Sequence, residues 1–186
     1  MSMPKSAIRR SGKIYYLTMT ALMAAVLCVL SPLALPIGPV TVTLCTLVIY
    51  LIPYLLGWKL GTVSCLVYLL LGLMGLPVFA GFIGGFGKLL GPTGGYIVGY
   101  LAVAVCTGLA VEKSRSRVVH ALGMAVGTAL CYGLGTAWYC LITDSGLESA
   151  LMLCVLPFLP GDLVKMVVAM TAGPMLRDRL NKASLG

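Results

Sequence analysis

Apolar residues run along this chain in long blocks, not in the alternation of a half-buried strand or on one face of a surface helix. Residues 14–35 carry no charged side chain, and neither do 40–56, 60–76, 94–111 and 118–142. A sixth block, 159–176, is apolar except for Asp162 and Lys165. Runs of roughly 17–25 residues with few charges are what a helix needs to cross a bilayer core. The pattern predicts an all-α integral membrane protein with about six transmembrane helices, forming a single membrane domain over residues 1–186. Block 14–35 follows four positive charges, as a signal peptide would. It is longer than the usual apolar region of such peptides and more blocks follow, so it is expected to remain as the first span.

Composition closes off the soluble alternative. Sixty per cent of the residues are apolar and 10% are charged, more apolar surface than a water-soluble fold of this size can hide. The net charge of +8 raises a nucleic-acid partner, but its placement argues against one. Lys5, Arg9, Arg10 and Lys13 precede the first block, and Lys59 lies between the second and third. Lys113, Arg115 and Arg117 separate the fourth from the fifth; Arg177, Arg179 and Lys182 follow the sixth. Eleven of the 13 cations thus share one side of an even-numbered bundle. Cytoplasmic loops carry the excess Lys and Arg, so both termini are expected in the cytoplasm. Asp144, Glu148 and the cation Lys88 fall on the other side. Tyr15, Tyr16, Trp58, Trp138 and Tyr139 lie near block ends, where amphipathic rings are favoured.

The seven cysteines are scattered through the blocks without a CxxC pair, as expected of small apolar residues and not of a metal site or disulfide framework. His120 stands alone beside a basic loop. There is no phosphate-binding lysine loop, GxSxG or HExxH, so an ATPase or metalloprotease acting alone is not expected, and neither a cofactor nor a metal.

Three features carry candidate chemistry. Asp162 and Lys165 are three residues apart within an apolar span, hence on one helix face. Charge inside a bilayer is costly unless partnered. The pair either neutralises itself for insertion or lines a polar cavity and hydrogen-bonds a ligand. The preceding Pro157-Phe158-Leu159-Pro160-Gly161 puts Asp162 in the first turn of its helix, toward the outer face. Second, residues 75–99 hold nine glycines, too many for a regular helix. The part 81–91, which includes Gly85, is expected as non-helical backbone bounding a site, and Gly95 and Gly99 as close helix contacts. Lys88 within it suits a ligand carboxylate or is simply solvated. Third, Ala21 and Ala25 give the first span a smooth stripe where another helix can approach.

These motifs resemble the BioY family, the biotin-binding S components of energy-coupling factor (ECF) transporters. The resemblance rests on Gly75-Leu76-Pro77-Val78-Phe79-Ala80-Gly81, Gly91-Pro92-Thr93-Gly94-Gly95-Tyr96 and Pro160-Gly161-Asp162-Leu163-Val164-Lys165, in family order. It implies six helices, access from outside, high-affinity capture of biotin in the plasma membrane of a prokaryote, and coupling to a transmembrane scaffold subunit and two cytoplasmic ATPases. It also implies that Ala21 and Ala25 dock on that scaffold. One loop departs from the family. Where its members usually read P-x-P-[IV]-T-[LM]-Q-T, this chain has Thr41 for the second proline and Cys45 for the glutamine.

Biotin's chemistry matches the candidates. Its ureido group donates N–H and accepts at a carbonyl, which Asp162 and Lys165 can meet. Its ring system wants walls such as Phe79 and Tyr96, and its carboxylate wants Lys88 or the backbone around Gly85. Thr43, in the first outer loop, completes the expected ligand set. Two other classes stay open on the residues alone: a secondary transporter in which Asp162 carries a proton, and a membrane-embedded enzyme, disfavoured because acids and nucleophiles do not cluster.

Overall fold

The computed structural model describes residues 5–37 and 40–183, with side chains described for 14–34, 43–180 and 182. Pro39 and the side chains of Thr41, Lys5, Arg9, Arg10 and Lys13 lie outside that description.

The first helix, α1 (Lys5–Leu30), stops at Ser31-Pro32, because the residue before a proline is pushed out of helical backbone. A short antiparallel hairpin follows, β1 (Ala34–Ile37) and β2 (Val40–Thr43), with Ala34 opposite Thr43. The first span therefore ends earlier than residue 35, and the second does not begin at residue 40. The β-branched run Val-Thr-Val-Thr prefers extended backbone, and helix resumes only at Cys45.

That helix, α2 (Cys45–Leu73), breaks at Gly57, whose φ of 73° and ψ of −178° are not helical. The chain doubles back there. A Cβ on Gly61 would lie 3.2 Å from Ile52 Cγ2, and Cys45 at the start of α2 sits beside Tyr68 near its end. In a straight helix those two would be about 35 Å apart. The expected second and third spans are thus two limbs, 45–56 and 58–73, of one folded hairpin. Glu112 Oε2 accepts the Trp58 amide at 3.2 Å, supplying a partner for an N–H that opens the second limb. The same oxygen would be 3.1 Å from any Cβ at position 57, a second reason for glycine there.

After irregular residues 74–85 come α3 (Phe86–Leu90), α4 (Gly94–Lys113), α5 (Arg117–Thr143), α6 (Leu147–Cys154) and α7 (Leu159–Ala183). The one-turn α3 corrects the expectation that 81–91 would be wholly non-helical. α6 and α7 are bent by 48° across the proline-rich junction. α4 lies flat on α5 through small residues: Cβ atoms on Gly99 and Gly127 would each come within 2.9 Å of a facing Cα, that of Cys131 and Val103 respectively.

Among the described residues three helices are long and apolar enough to cross a bilayer, or four if α6 and α7 are one bent span. The number falls below six because α2 holds two apolar blocks and the apolar part of α1, Ile14–Leu30, is short. Large apolar side chains such as Leu17, Met74 and Leu141 point outward, while the interior holds Tyr50, Tyr54, Tyr68 and His120. Outward apolar groups and inward polar ones are the distribution a lipid solvent favours.

Candidate functional site

A partly open cavity lies among α2, α4, α5 and α7, and Thr43, Thr46, Tyr96, Tyr132, Asp162 and Lys165 are on its wall. α7 begins at Leu159, so Asp162 falls in its first turn, where the helix dipole favours a carboxylate. One turn on, Lys165 places its ammonium 2.9 Å from Asp162 Oδ1. The two side chains neutralise each other, and both face the cavity.

Three of the carboxylate's four acceptor sites are taken. Oδ1 accepts from Lys165 and from the Thr46 hydroxyl at 3.4 Å, while Oδ2 accepts from the Tyr132 hydroxyl at 2.5 Å. Lys165 Nζ also donates to Thr46 Oγ1 at 3.0 Å. A buried charge is tolerable when it is paired and hydrogen-bonded, and three helices contribute to this arrangement. An ammonium has three protons; Asp162 and Thr46 take two, which leaves one to offer a ligand carbonyl. The carboxylate keeps one lone pair, on Oδ2, to turn toward an N–H donor.

A second, smaller cavity adjoins the first, with Tyr96 and Tyr100 lining both. Phe79 and Lys88 lie on this second wall, with Ser31, Tyr68 and Thr93. Phe79 is 1% exposed and stands edge-on to Tyr68, with ring centroids 5.7 Å apart. Tyr96 offers its ring, because its hydroxyl is tied to Thr136 and to the Cys154 carbonyl, both at 3.3 Å.

The structure therefore gathers Asp162, Lys165, Tyr96 and Thr43 in one cavity and Phe79 and Lys88 in its neighbour. Gly85 lines neither. With φ at +88° it turns the chain into α3, and its amide donates to the Gly72 carbonyl at 2.7 Å. Cys45, where the family pattern has glutamine, is buried and also lines neither cavity. Ala21 and Ala25 lie on the outward face of α1, with Ala24 turned inward. Tyr139, expected near the bilayer surface, is buried in the core.

Sequence reasoning missed Thr46, Tyr132 and Tyr100. A signal for two of them was present. Thr46, Tyr50 and Tyr54 recur every four residues in one apolar block, and Thr128, Tyr132 and Thr136 do so in another, so each set marks a polar face turned inward.

His120 is not a ligand. Its Nε2 lies 2.8 Å from the Ser114 carbonyl and its Nδ1 3.1 Å from the Tyr54 hydroxyl. A carbonyl can only accept, so Nε2 carries the proton and, in the neutral ring, Nδ1 accepts from Tyr54. Among the described residues no cluster of His, Cys, Asp and Glu could hold a metal ion.

Comparison with known proteins adds the lineage. The family model described as "BioY family" matches residues 3–182. A protein named "Biotin transporter BioY" from Thermotoga maritima is 39% identical over 74% of this chain and 80% of its own length. One named "Biotin transporter BioY2" from Lactococcus lactis is 36% identical over 88% and 91%. The fold matches a crystal structure of "the S-component for biotin from an ECF-type ABC transporter", with a TM-score of 0.83, 31% identity and 95% of both chains covered.

Proposed function

The chain belongs to the BioY family, and from that membership we propose that it is a membrane-embedded biotin-binding subunit that takes up the vitamin with an ATP-driven energy-coupling module. The observation that carries this reading is the Asp162–Lys165 pair, held by Thr46 and Tyr132 on the wall of a cavity among the helices. The ureido group sits against this pair, one N–H on the carboxylate's free lone pair and its carbonyl on the ammonium. The ring system passes Tyr96 and Tyr100, which line both cavities, and the valerate chain ends at Lys88 in the second. Charge-assisted hydrogen bonds of this kind contribute about 1.5–3 kcal/mol each.

The partners are a transmembrane scaffold and two cytoplasmic ATPases, because a binding subunit cannot concentrate its ligand without an energy source. The relatives are named as transporters, and the reading assigns the chain no catalytic chemistry. Its place is the plasma membrane of a prokaryote, with both termini and the basic loops in the cytoplasm. The outward face of α1, bearing Ala21 and Ala25, docks on the scaffold through close backbone approach.

Titrating purified protein with radiolabelled biotin in the absence of nucleotide tests the reading. Saturable tight binding is expected. Failure to bind biotin, with binding of a different small solute, would overturn it.

A further inference from the structure

A third cavity, open to solvent, lies at the end of the bundle that bears Lys113, Arg115 and Arg177. The same four helices line it and the ligand cavity. On α2 the wall passes from Thr46 in the ligand cavity to Tyr54 in the basic one; on α4, from Val103 to Val111; on α5, from Thr128 to His120; on α7, from Lys165 to Pro174. Each step is two turns or slightly more, about 12 Å at 1.5 Å per residue, against a hydrocarbon core of about 30 Å.

One turn in from the ligand cavity on each helix stand Tyr50, Thr107, Met124 and Ala169. All four are 0% exposed, and none lines either cavity. We infer that these four residues form an occlusion layer, a floor one side chain deep that closes a through-passage and keeps water and protons from crossing the bundle between the two cavities.

Two details support a seal over ordinary core. Polar groups flank the layer on both sides. Tyr50 reaches Thr128 at 2.5 Å, Thr128 in turn donates to the Met124 carbonyl at 2.8 Å, and Tyr54 and His120 pair on the basic side. Within the layer, the Thr107 hydroxyl is buried and has no hydrogen-bond partner among the described residues. Such a group normally holds a bond to protein or water, so it is the position a water would occupy once the layer yields. Met124 is the large apolar side chain of the four, and removing it opens space beside hydroxyls, which hydrates where a wholly apolar void would stay dry.

The test is proton flux into liposomes carrying the full-length protein and a pH-sensitive dye. Wild type should leak no more than protein-free liposomes. Met124→Gly and Met124→Ala should raise the flux about tenfold or more as the gap hydrates, and adding Thr107→Val should reduce it again. Leu130→Gly, on the outward face of α5, serves as control and should stay tight. Thermal unfolding reports folding separately from ligand binding. A leaky wild type, or a tight bilayer with either folded Met124 variant, would overturn the inference.

Discussion

The two ligand-side cavities share Tyr96 and Tyr100 but are built of different material. Around Asp162 every partner of the carboxylate comes from a helix, and three bonds to it are already made. Around Lys88 the wall comes partly from the stretch 74–90, where Gly75, Gly81, Gly85 and even Phe82 hold positive φ. Lys88 itself sits on a helix of only five residues. Groups held by packed helices lose little freedom when a ligand arrives, whereas a loop-borne cation must be ordered first. The helical cavity should therefore set affinity and the loop cavity should tune it.

The strongest test of that division is Asp162→Asn. It leaves Lys165 buried without its counter-charge, a change that costs about 3 kcal/mol or more and should weaken biotin binding over a hundredfold by calorimetry. An unaltered affinity in a folded variant would mean the pair serves insertion alone. Next is Tyr132→Phe, which removes one bond to the carboxylate and nothing else. A loss of about 1–2 kcal/mol, near tenfold, is expected in the same titration.

Lys88→Ala should cost less, about 1 kcal/mol or below, because water replaces a half-exposed ammonium. The loss should shrink further with salt and vanish for biotin amide, which lacks the carboxylate. A Lys88 effect equal to that of Asp162 would erase the distinction between the cavities. Ala21→Trp and Ala25→Trp lie on the outward face of α1 and should leave affinity unchanged while co-purification with the scaffold is lost.

Composition and block length made the all-α membrane fold legible, since a lipid solvent leaves a plain statistical trace. The Asp162–Lys165 pair was legible too, because charge inside an apolar run has few explanations. The hairpin at 34–43 was not: an uncharged Val-Thr run is equally apolar as strand or helix, and hydropathy carries no backbone geometry. Gly85 misled for a related reason. A glycine that bends the chain into a site looks in sequence like one that touches a ligand. Tyr132 escaped because its importance comes from Asp162, 30 residues away in sequence, and pairing across helices is set by packing, which no single segment contains.

The break at Gly57 also has a bearing on how the protein is made. The amide that opens the second limb of α2 is satisfied by a carboxylate 54 residues downstream. At ribosomal speeds of about 5–20 residues per second, Glu112 appears roughly 3–10 s after Trp58. Through that interval the apex of the hairpin must rest where water can serve the amide, because lipid cannot. The apex lies at the solvent-open basic end of the bundle, so water serves the amide until Glu112 arrives to take it over. Biogenesis here has a built-in order, written by which residue caps which.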